Sequence, residues 1–149
     1  EGRALAEHWF NSKPIDFRYP CVATAVFSLP PLGTVGFTEE QLRERKASFH
    51  IFRAHFRPMK YTLPDKKNKA FLKILVDPAT DKLLGCHLLG PDTPELIQVM
   101  AACLMAGATK TNLDDTFAVH PTMAEELVLF RKPSEIVEGE RQAPDPLAG

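Results

Sequence analysis

Hydrophobic residues recur at helical spacing in the first ten residues, and a polar connector then interrupts the pattern. Leu5, Trp9 and Phe10 lie on this repeat and predict the end of an amphipathic helix. A polar stretch bounded by prolines, Asn11 to Pro20, follows it. Because a helix, a linker and a change of pattern are typical of a domain boundary, we expect residues 1–19 to be the tail of a preceding domain and its linker.

Short runs of β-branched and apolar residues dominate the next part of the chain. The predicted strands are Val22–Phe27, Thr34–Phe37, Ser48–Phe56, Ala70–Asp77 and Lys82–Leu89. A Pro-Ala-Thr-Asp turn separates the last two strands, as in an antiparallel hairpin. The uneven alternation within the third strand indicates a β-bulge. The G-x-x-G spacing of Gly33 and Gly36 is interpreted as a turn, since it lacks the length of a phosphate-binding motif.

Capping residues mark the starts of two helices. Thr38 and Gln41 have the spacing of a capping box. Thr93, which precedes a proline, is the predicted N-cap of a helix through Leu96–Ala106 that ends at Gly107. This helix is apolar almost all round, so we expect it to be buried against a sheet or another subunit.

The last third of the chain predicts two shorter helices and a tail. Asn112–Thr116 indicates a helical turn, and the Thr-x-x-Glu pattern at Thr122 predicts a helix through Phe130. The Pro-rich residues 132–149 are expected to form an extended tail that frays over Pro144–Gly149. Strands followed by helices predict an α+β domain over residues 20–131, with an antiparallel β-sheet flanked by helices.

Composition excludes several classes of protein. The 149 residues are 44% hydrophobic and 25% charged with a net charge of −1, so neither a nucleic-acid nor a membrane partner is expected. No signal peptide is visible, and the missing initiator Met suggests a fragment or a processed form. Three cysteines without C-x-x-C spacing indicate a reducing, cytoplasmic location. The histidines have no metal-ligand spacing, so no metal site is predicted.

The segment from Phe117 to Val128 contains the candidate chemistry. His120 lies just before a predicted helix start, and Pro121 restricts its backbone. Glu125, one helical turn further on, would orient the imidazole and stabilise its protonated form, so that His120 could donate a proton. The alternative is structural: Glu125 is the third residue of the capping box, and His120 is only a residue that precedes a helix. The two oxygens of Glu125 are sufficient for both roles.

Three stretches together resemble one family. Val26–Glu39, Met105–Lys110 and His120–Val128 are similar, in order and spacing, to the C-terminal interface (dimerisation) domain of flavin-dependent pyridine nucleotide–disulfide oxidoreductases. Within this family they resemble the glutathione reductases. Trypanothione reductases share the Glu-Glu-Leu that begins at Glu125, whereas dihydrolipoamide dehydrogenases usually carry a second His where this chain has Ala118.

The resemblance implies a specific mechanism. In such enzymes NADPH reduces FAD, FAD reduces a cysteine pair, and one thiolate attacks glutathione disulfide. A His of the other subunit of the homodimer then protonates the departing thiolate. By motif position this His is His120, oriented by Glu125, and His120 and Pro121 would also contact the partner's flavin. The implied substrate-cleft residues are Phe56, Pro58, Met59 and Glu126.

The chain carries only part of that machinery. It has no redox cysteine pair and no FAD or NADPH fingerprint, so we expect it neither to bind these cofactors alone nor to reduce a substrate alone. The leading hypothesis is the interface domain of an NADPH- and FAD-dependent glutathione-disulfide reductase. The alternatives are a non-catalytic dimerisation or binding module, and the interface domain of another disulfide reductase.

Overall fold

Six antiparallel strands form one sheet in the computed structural model, which describes residues 1–15, 21–62, 64 and 67–147. The strands of this part of the chain are β1 (Thr24–Val26), β2 (Leu32–Gly36), β3 (Phe49–Phe56), β4 (Ala70–Val76), β5 (Leu83–Leu89) and β6 (Glu135–Val137). The helices are α1 (Gly2–Asn11), α2 (Glu39–Glu44), α3 (Thr93–Met105), α4 (Lys110–Asp114) and α5 (Glu125–Val128), with a 3₁₀ turn at Met59–Tyr61. The strand order is β1-β2-β5-β4-β3-β6, which confirms the predicted α+β class with an antiparallel sheet.

Both faces of the sheet are covered, and alternating residues of the central strands face different clusters. Leu72 and Ile74 belong to a large cluster that includes residues of α3 and of the His120 region. Leu75, the neighbour of Ile74, belongs to a smaller cluster with Leu42 of α2. Because side chains alternate along a strand, the two clusters lie on opposite faces. We call them the α3 face and the α2 face.

Burial on both faces explains why β3 does not alternate cleanly. Phe49 and Ile51 are buried on the α2 face, whereas Phe52 is buried on the α3 face. The predicted bulge in this strand is therefore wrong, since β3 pairs with β4 in unbroken register. The register shift lies instead between Leu75 and Val76 of β4, where that strand pairs with β5.

The G-x-x-G spacing belongs to strand β2, so its interpretation as a turn is wrong. A Cβ atom on Gly33 would lie 2.8 Å from Cγ2 of Thr93 and 2.9 Å from Cβ of Ile97. Glycine is required there because α3 packs closely against β2. Gly36, at φ 75°, ends the strand in a backbone conformation that glycine adopts without strain.

One predicted helix start is confirmed, whereas another start and one helix end are displaced. Thr38 and Gln41 form the predicted capping box of α2. Asp92, not Thr93, is the N-cap of α3, because Asp92 adopts a left-handed backbone conformation at φ 61° and Thr93 is already helical and buried. Helix α5 ends at Val128 rather than at Phe130, whose carbonyl instead accepts a hydrogen bond from Lys110 Nζ at 2.7 Å.

The C-terminal segment adds an edge strand to the sheet. Strand β6 pairs with β3, and Glu135 binds both Arg43 and Arg53. Fraying from Pro144 is wrong for residues 144–147, since Asp145 binds Lys82 at 3.1 Å and Ala143 is buried beside them. Residues 16–20, where the first domain boundary is predicted, and residues 148–149 lie outside the described residues. Among the described helices, none has the length and apolar character needed to cross a membrane.

Candidate functional site

His120 lies on a segment without regular structure, between the end of α4 at Asp114 and the start of α5 at Glu125. The Thr122 hydroxyl donates to the Val119 carbonyl at 2.7 Å, which closes a tight turn around His120. The peptide bond between His120 and Pro121 is cis. The hydrogen bond between Thr122 and Val119 thus places His120 inside this turn.

Glu125 contacts the histidine and the helix start at the same time. Its Oε2 lies 2.8 Å from Nδ1 of His120, and its Oε1 accepts from the Thr122 backbone N–H at 3.3 Å. Thr122 returns the capping bond, since its hydroxyl accepts from the Glu125 N–H at 3.2 Å. The catalytic and structural alternatives thus use different oxygens of one carboxylate, and neither contact excludes the other.

The two side chains of this pair differ strongly in exposure. The Glu125 side chain is only 11% exposed, whereas the His120 side chain is 66% exposed. A carboxylate at Nδ1 makes this nitrogen the donor, so the second nitrogen, Nε2, exchanges the proton. Within the described part of the chain Nε2 has no hydrogen-bond partner. The arrangement can therefore present a proton, or accept one, at a surface-facing atom.

The far end of the segment is anchored in the α3 face, whereas its tip is apolar and exposed. Leu127 and Phe130 are buried in that face, with the Phe130 ring 6.1 Å from that of Phe52. In contrast, Phe117 is 97% exposed and Val119 is 71% exposed. Large apolar side chains at the surface are typical of an interaction site.

The predicted substrate-cleft residues are brought together only in part. Two of them, Pro58 and Met59, line one hollow of about 210 Å³, together with Pro121, a predicted flavin contact. Phe56 lies outside its lining and packs partly buried against the α3 face. Glu126 also lies outside it, and burial together with the neighbouring Glu125 carboxylate raises the pKa of its carboxyl.

Sequence analysis missed two charged residues of the same hollow. Lys60 and Asp92 line it, and their side chains form an ion pair. The two residues are separated by 32 positions, so no local pattern connects them. The one available signal was Lys60 itself, directly after the predicted cleft residues Pro58 and Met59.

His87 and Cys86, which are neighbours in strand β5, have structural surroundings. His87 is hydrogen-bonded to Thr34 Oγ1 at 2.8 Å and to the Phe37 carbonyl at 3.0 Å, and burial lowers its pKa. Cys86 is buried, which raises the pKa of its thiol. Among the described residues, no three His, Cys, Asp or Glu side chains are grouped so as to hold a metal ion.

Comparison with known proteins assigns the family. Residues 22–130 match the profile of the pyridine nucleotide-disulphide oxidoreductase dimerisation domain, and the chain belongs to this family. Chloroplastic/mitochondrial glutathione reductase of Pisum sativum is 43% identical over 137 residues, which cover 92% of this chain and 25% of that protein. Trypanothione reductase of Trypanosoma congolense is 37% identical over 143 residues, which cover 95% of this chain and 29% of that protein.

A solved structure agrees with this assignment. The HOCl-induced flavoprotein disulfide reductase RclA from Escherichia coli superposes with a TM-score of 0.75 at 30% identity, over 84% of this chain and 29% of that one. The chain therefore spans between a quarter and three-tenths of the length of the relatives it matches.

Proposed function

We propose that this chain is the interface domain of an NADPH- and FAD-dependent disulfide reductase of the glutathione reductase type. In this proposal the chain forms a homodimer, and His120 with Glu125 serves as the acid–base pair in the partner subunit's active site. The observation that carries the proposal is the 2.8 Å contact between His120 Nδ1 and Glu125 Oε2, in which the exposed imidazole keeps Nε2 available for exchange of a proton. The glutathione and trypanothione reductases among the relatives support the reaction class.

The proposed role of His120 is a proton transfer that completes disulfide cleavage. A thiolate of the partner subunit attacks one sulfur of glutathione disulfide, forms a mixed disulfide and breaks the original S–S bond. The departing glutathione thiolate takes the proton from Nε2 of His120 and leaves as the thiol. Glu125, acting as the positioning residue, stabilises the imidazolium before the transfer and keeps Nε2 directed outward.

The residues beside His120 fit the edge of a flavin site. Phe117 and Val119 expose apolar surface next to the turn, and a flat aromatic ring is a suitable partner for it. His120 and Pro121 would contact the partner subunit's flavin. FAD bound elsewhere in the full-length protein would supply the electrons from NADPH that convert the partner's cystine into the attacking thiolate.

Replacing His120 with Gln in the full-length protein tests the proposal. Disulfide turnover should fall by ~10²–10⁴-fold, the range for loss of a general acid, while stopped-flow reduction of the flavin by NADPH stays unchanged. Glu125→Gln should cost less, because the amide keeps an oxygen for the Thr122 N–H and loses only the charge opposite the imidazolium.

His55→Gln is the matched control. His55 is also an exposed histidine, and its ring packs against Phe71 with centroids 4.7 Å apart. Its replacement should leave turnover within about twofold of the unchanged protein, as expected for a surface substitution. Near-normal turnover in the His120 variant would contradict the assignment and favour a non-catalytic dimerisation module.

A reducing compartment such as the cytoplasm is part of the proposal. Cys21, Cys86 and Cys103 are all free thiols, which is ordinary in reducing surroundings. Fractionation of the source cells, followed by detection of the protein, would test this location.

A further inference from the structure

The hollow beside the His120 turn contains a pair of opposite charges that the acid–base chemistry does not use. Lys60 follows Met59 in the 3₁₀ turn, and Asp92 precedes α3. Their side chains bind each other while staying 47% and 51% exposed. Pro121, directly after His120, forms part of the same wall. The pair is therefore next to the proposed site of proton transfer and open to solvent.

The local backbone directs the Asp92 carboxylate toward this hollow. An aspartate at an N-cap usually accepts a hydrogen bond from its own helix, but the Asp92 side chain makes no capping bond. Asp92 has a left-handed backbone conformation, at φ 61°, and its carboxylate binds Lys60 instead of the helix start. Each partner keeps free hydrogen-bonding capacity, since an ammonium group has three donors and a carboxylate has two acceptor oxygens.

An ion pair with no net charge favours a ligand that carries one positive and one negative group at matching positions. A lone carboxylate would satisfy Lys60 and be repelled by Asp92, and a lone ammonium group would meet the opposite problem. A free α-amino-acid group has both charges on one carbon, with the carboxylate for Lys60 and the ammonium for Asp92. Each half of glutathione disulfide ends in such a γ-glutamyl group.

We infer that Lys60 and Asp92 form a subsite for the zwitterionic α-amino-acid end of the disulfide substrate. This inference rests on the proposed function, because it places that end of the substrate next to the His120 turn. Lys60 and Asp92 act in binding and specificity, and the proton transfer stays with His120. The hydrophobic walls formed by Pro58 and Met59 would pack against the methylene groups of the γ-glutamyl chain.

Steady-state kinetics of the full-length protein with three disulfides tests the subsite. The substrates are glutathione disulfide, its N-acetylated derivative, which lacks the ammonium groups, and its glutamyl α-amide, which lacks the corresponding carboxylates. Lys60→Gln should raise KM for glutathione disulfide by ~10- to 100-fold, the range for one charged hydrogen bond, and change kcat by less than about twofold. Asp92→Asn should raise the same KM.

The derivatives identify which charge meets which residue. Lys60→Gln should leave KM for the α-amide unchanged, and Asp92→Asn should leave KM for the N-acetyl derivative unchanged. Lys46→Gln is the matched control, because it breaks another exposed ion pair, with Glu140 at 3.0 Å, away from the hollow. Its kinetics should equal those of the unchanged protein with all three disulfides.

Two results would overturn the inference. One is an unchanged KM for glutathione disulfide in both variants, and the other is an equal loss with all three disulfides, which would indicate a structural ion pair. The unchanged protein reports on the proposed function separately. If the unchanged protein does not oxidise NADPH with any of the three disulfides, both the proposed function and the subsite are wrong. If it turns over glutathione disulfide normally and the Lys60 and Asp92 variants have the same KM, only the subsite is wrong.

Discussion

The sheet and the His120 segment contrast in how their hydrophobic side chains are used. The central strands bury theirs within this chain, and Leu72, Ile74 and Leu75 have no exposed surface. The His120 segment instead leaves Phe117 almost completely exposed and Val119 largely exposed. A side chain of the first kind stabilises the fold, whereas one of the second kind gains nothing from folding alone.

This difference separates two consequences of mutation. Substitutions in the sheet should reduce the free energy of unfolding and affect activity only through the folded fraction. Substitutions in the His120 segment should leave the unfolding of this chain nearly unchanged and alter what it does with a partner. Substitutions of Leu72, Glu39 and Phe117 should show this difference, with a progressively smaller effect on the free energy of unfolding.

Leu72→Ala should have the largest effect on stability. Leu72 is fully buried in the α3 face, so truncation removes apolar contacts and leaves a cavity. We expect the free energy of unfolding to fall by about 2–5 kcal/mol, measured by urea denaturation of the 149-residue chain. A loss below about 1 kcal/mol would mean that the sheet core is less tightly packed than the structure shows.

The ionic groups at the edge of the α2 face should contribute less to the free energy of unfolding, and their contribution should depend on pH. Burial alone would raise the pKa of Glu39, but hydrogen bonds from Lys73 at 2.8 Å and Arg53 at 2.7 Å outweigh it and hold the pKa below its usual range. A carboxyl with a lowered folded-state pKa stabilises the fold above its unfolded pKa, near 4.3, and this stabilisation is lost as the pH falls through the folded value.

Glu39→Gln should therefore cost about 1.5–3 kcal/mol at pH 7 and flatten the loss of stability below about pH 4. Urea denaturation from pH 7 to pH 3 measures both effects. Glu40→Gln is the control, since Glu40 is an exposed neighbour on the same helix. Parallel pH profiles for the Glu39 variant and the unchanged chain would show that the two cations do not stabilise this carboxylate.

Phe117→Ser should have the smallest effect on stability. The side chain is 97% exposed, so the free energy of unfolding should stay within about 0.5 kcal/mol of its original value. Self-association, which we propose for this domain, should weaken by about tenfold or more, because an apolar contact is removed from the interface. Sedimentation velocity over a concentration series measures the association. Equal dimerisation of the Phe117 variant and the unchanged chain would place the interface elsewhere.

Local sequence patterns were sufficient where a structure depends on neighbouring residues. The capping box at Thr38, the hairpin of β4 and β5 and the reach of Glu125 to His120 all span a few positions along the chain. These features follow from residue type and spacing, so the class of fold and the geometry of the candidate pair were predictable.

The remaining features depend on contacts between distant residues. Strand β6 lies within the proline-rich segment 132–149, whose composition is typical of a tail. It forms because its pairing with β3 is stabilised by Glu135 and Arg53, 82 positions apart. The role of Gly33 does not follow from its neighbours in sequence, because it is set by α3, which begins 60 positions later at Thr93. The charge pair of Lys60 and Asp92 likewise joins residues 32 positions apart.

The pairing of β6 with β3 also affects where the C-terminal boundary of a recombinant domain should lie. Without β6, strand β3 would present an open row of N–H and C=O groups, and such rows recruit strands from other molecules and promote aggregation. Ending a recombinant version at residue 131 would remove this cover. We expect a version cut at residue 131 to aggregate more readily, because residues 135–137 cover the part of this edge formed by Phe49–Ile51.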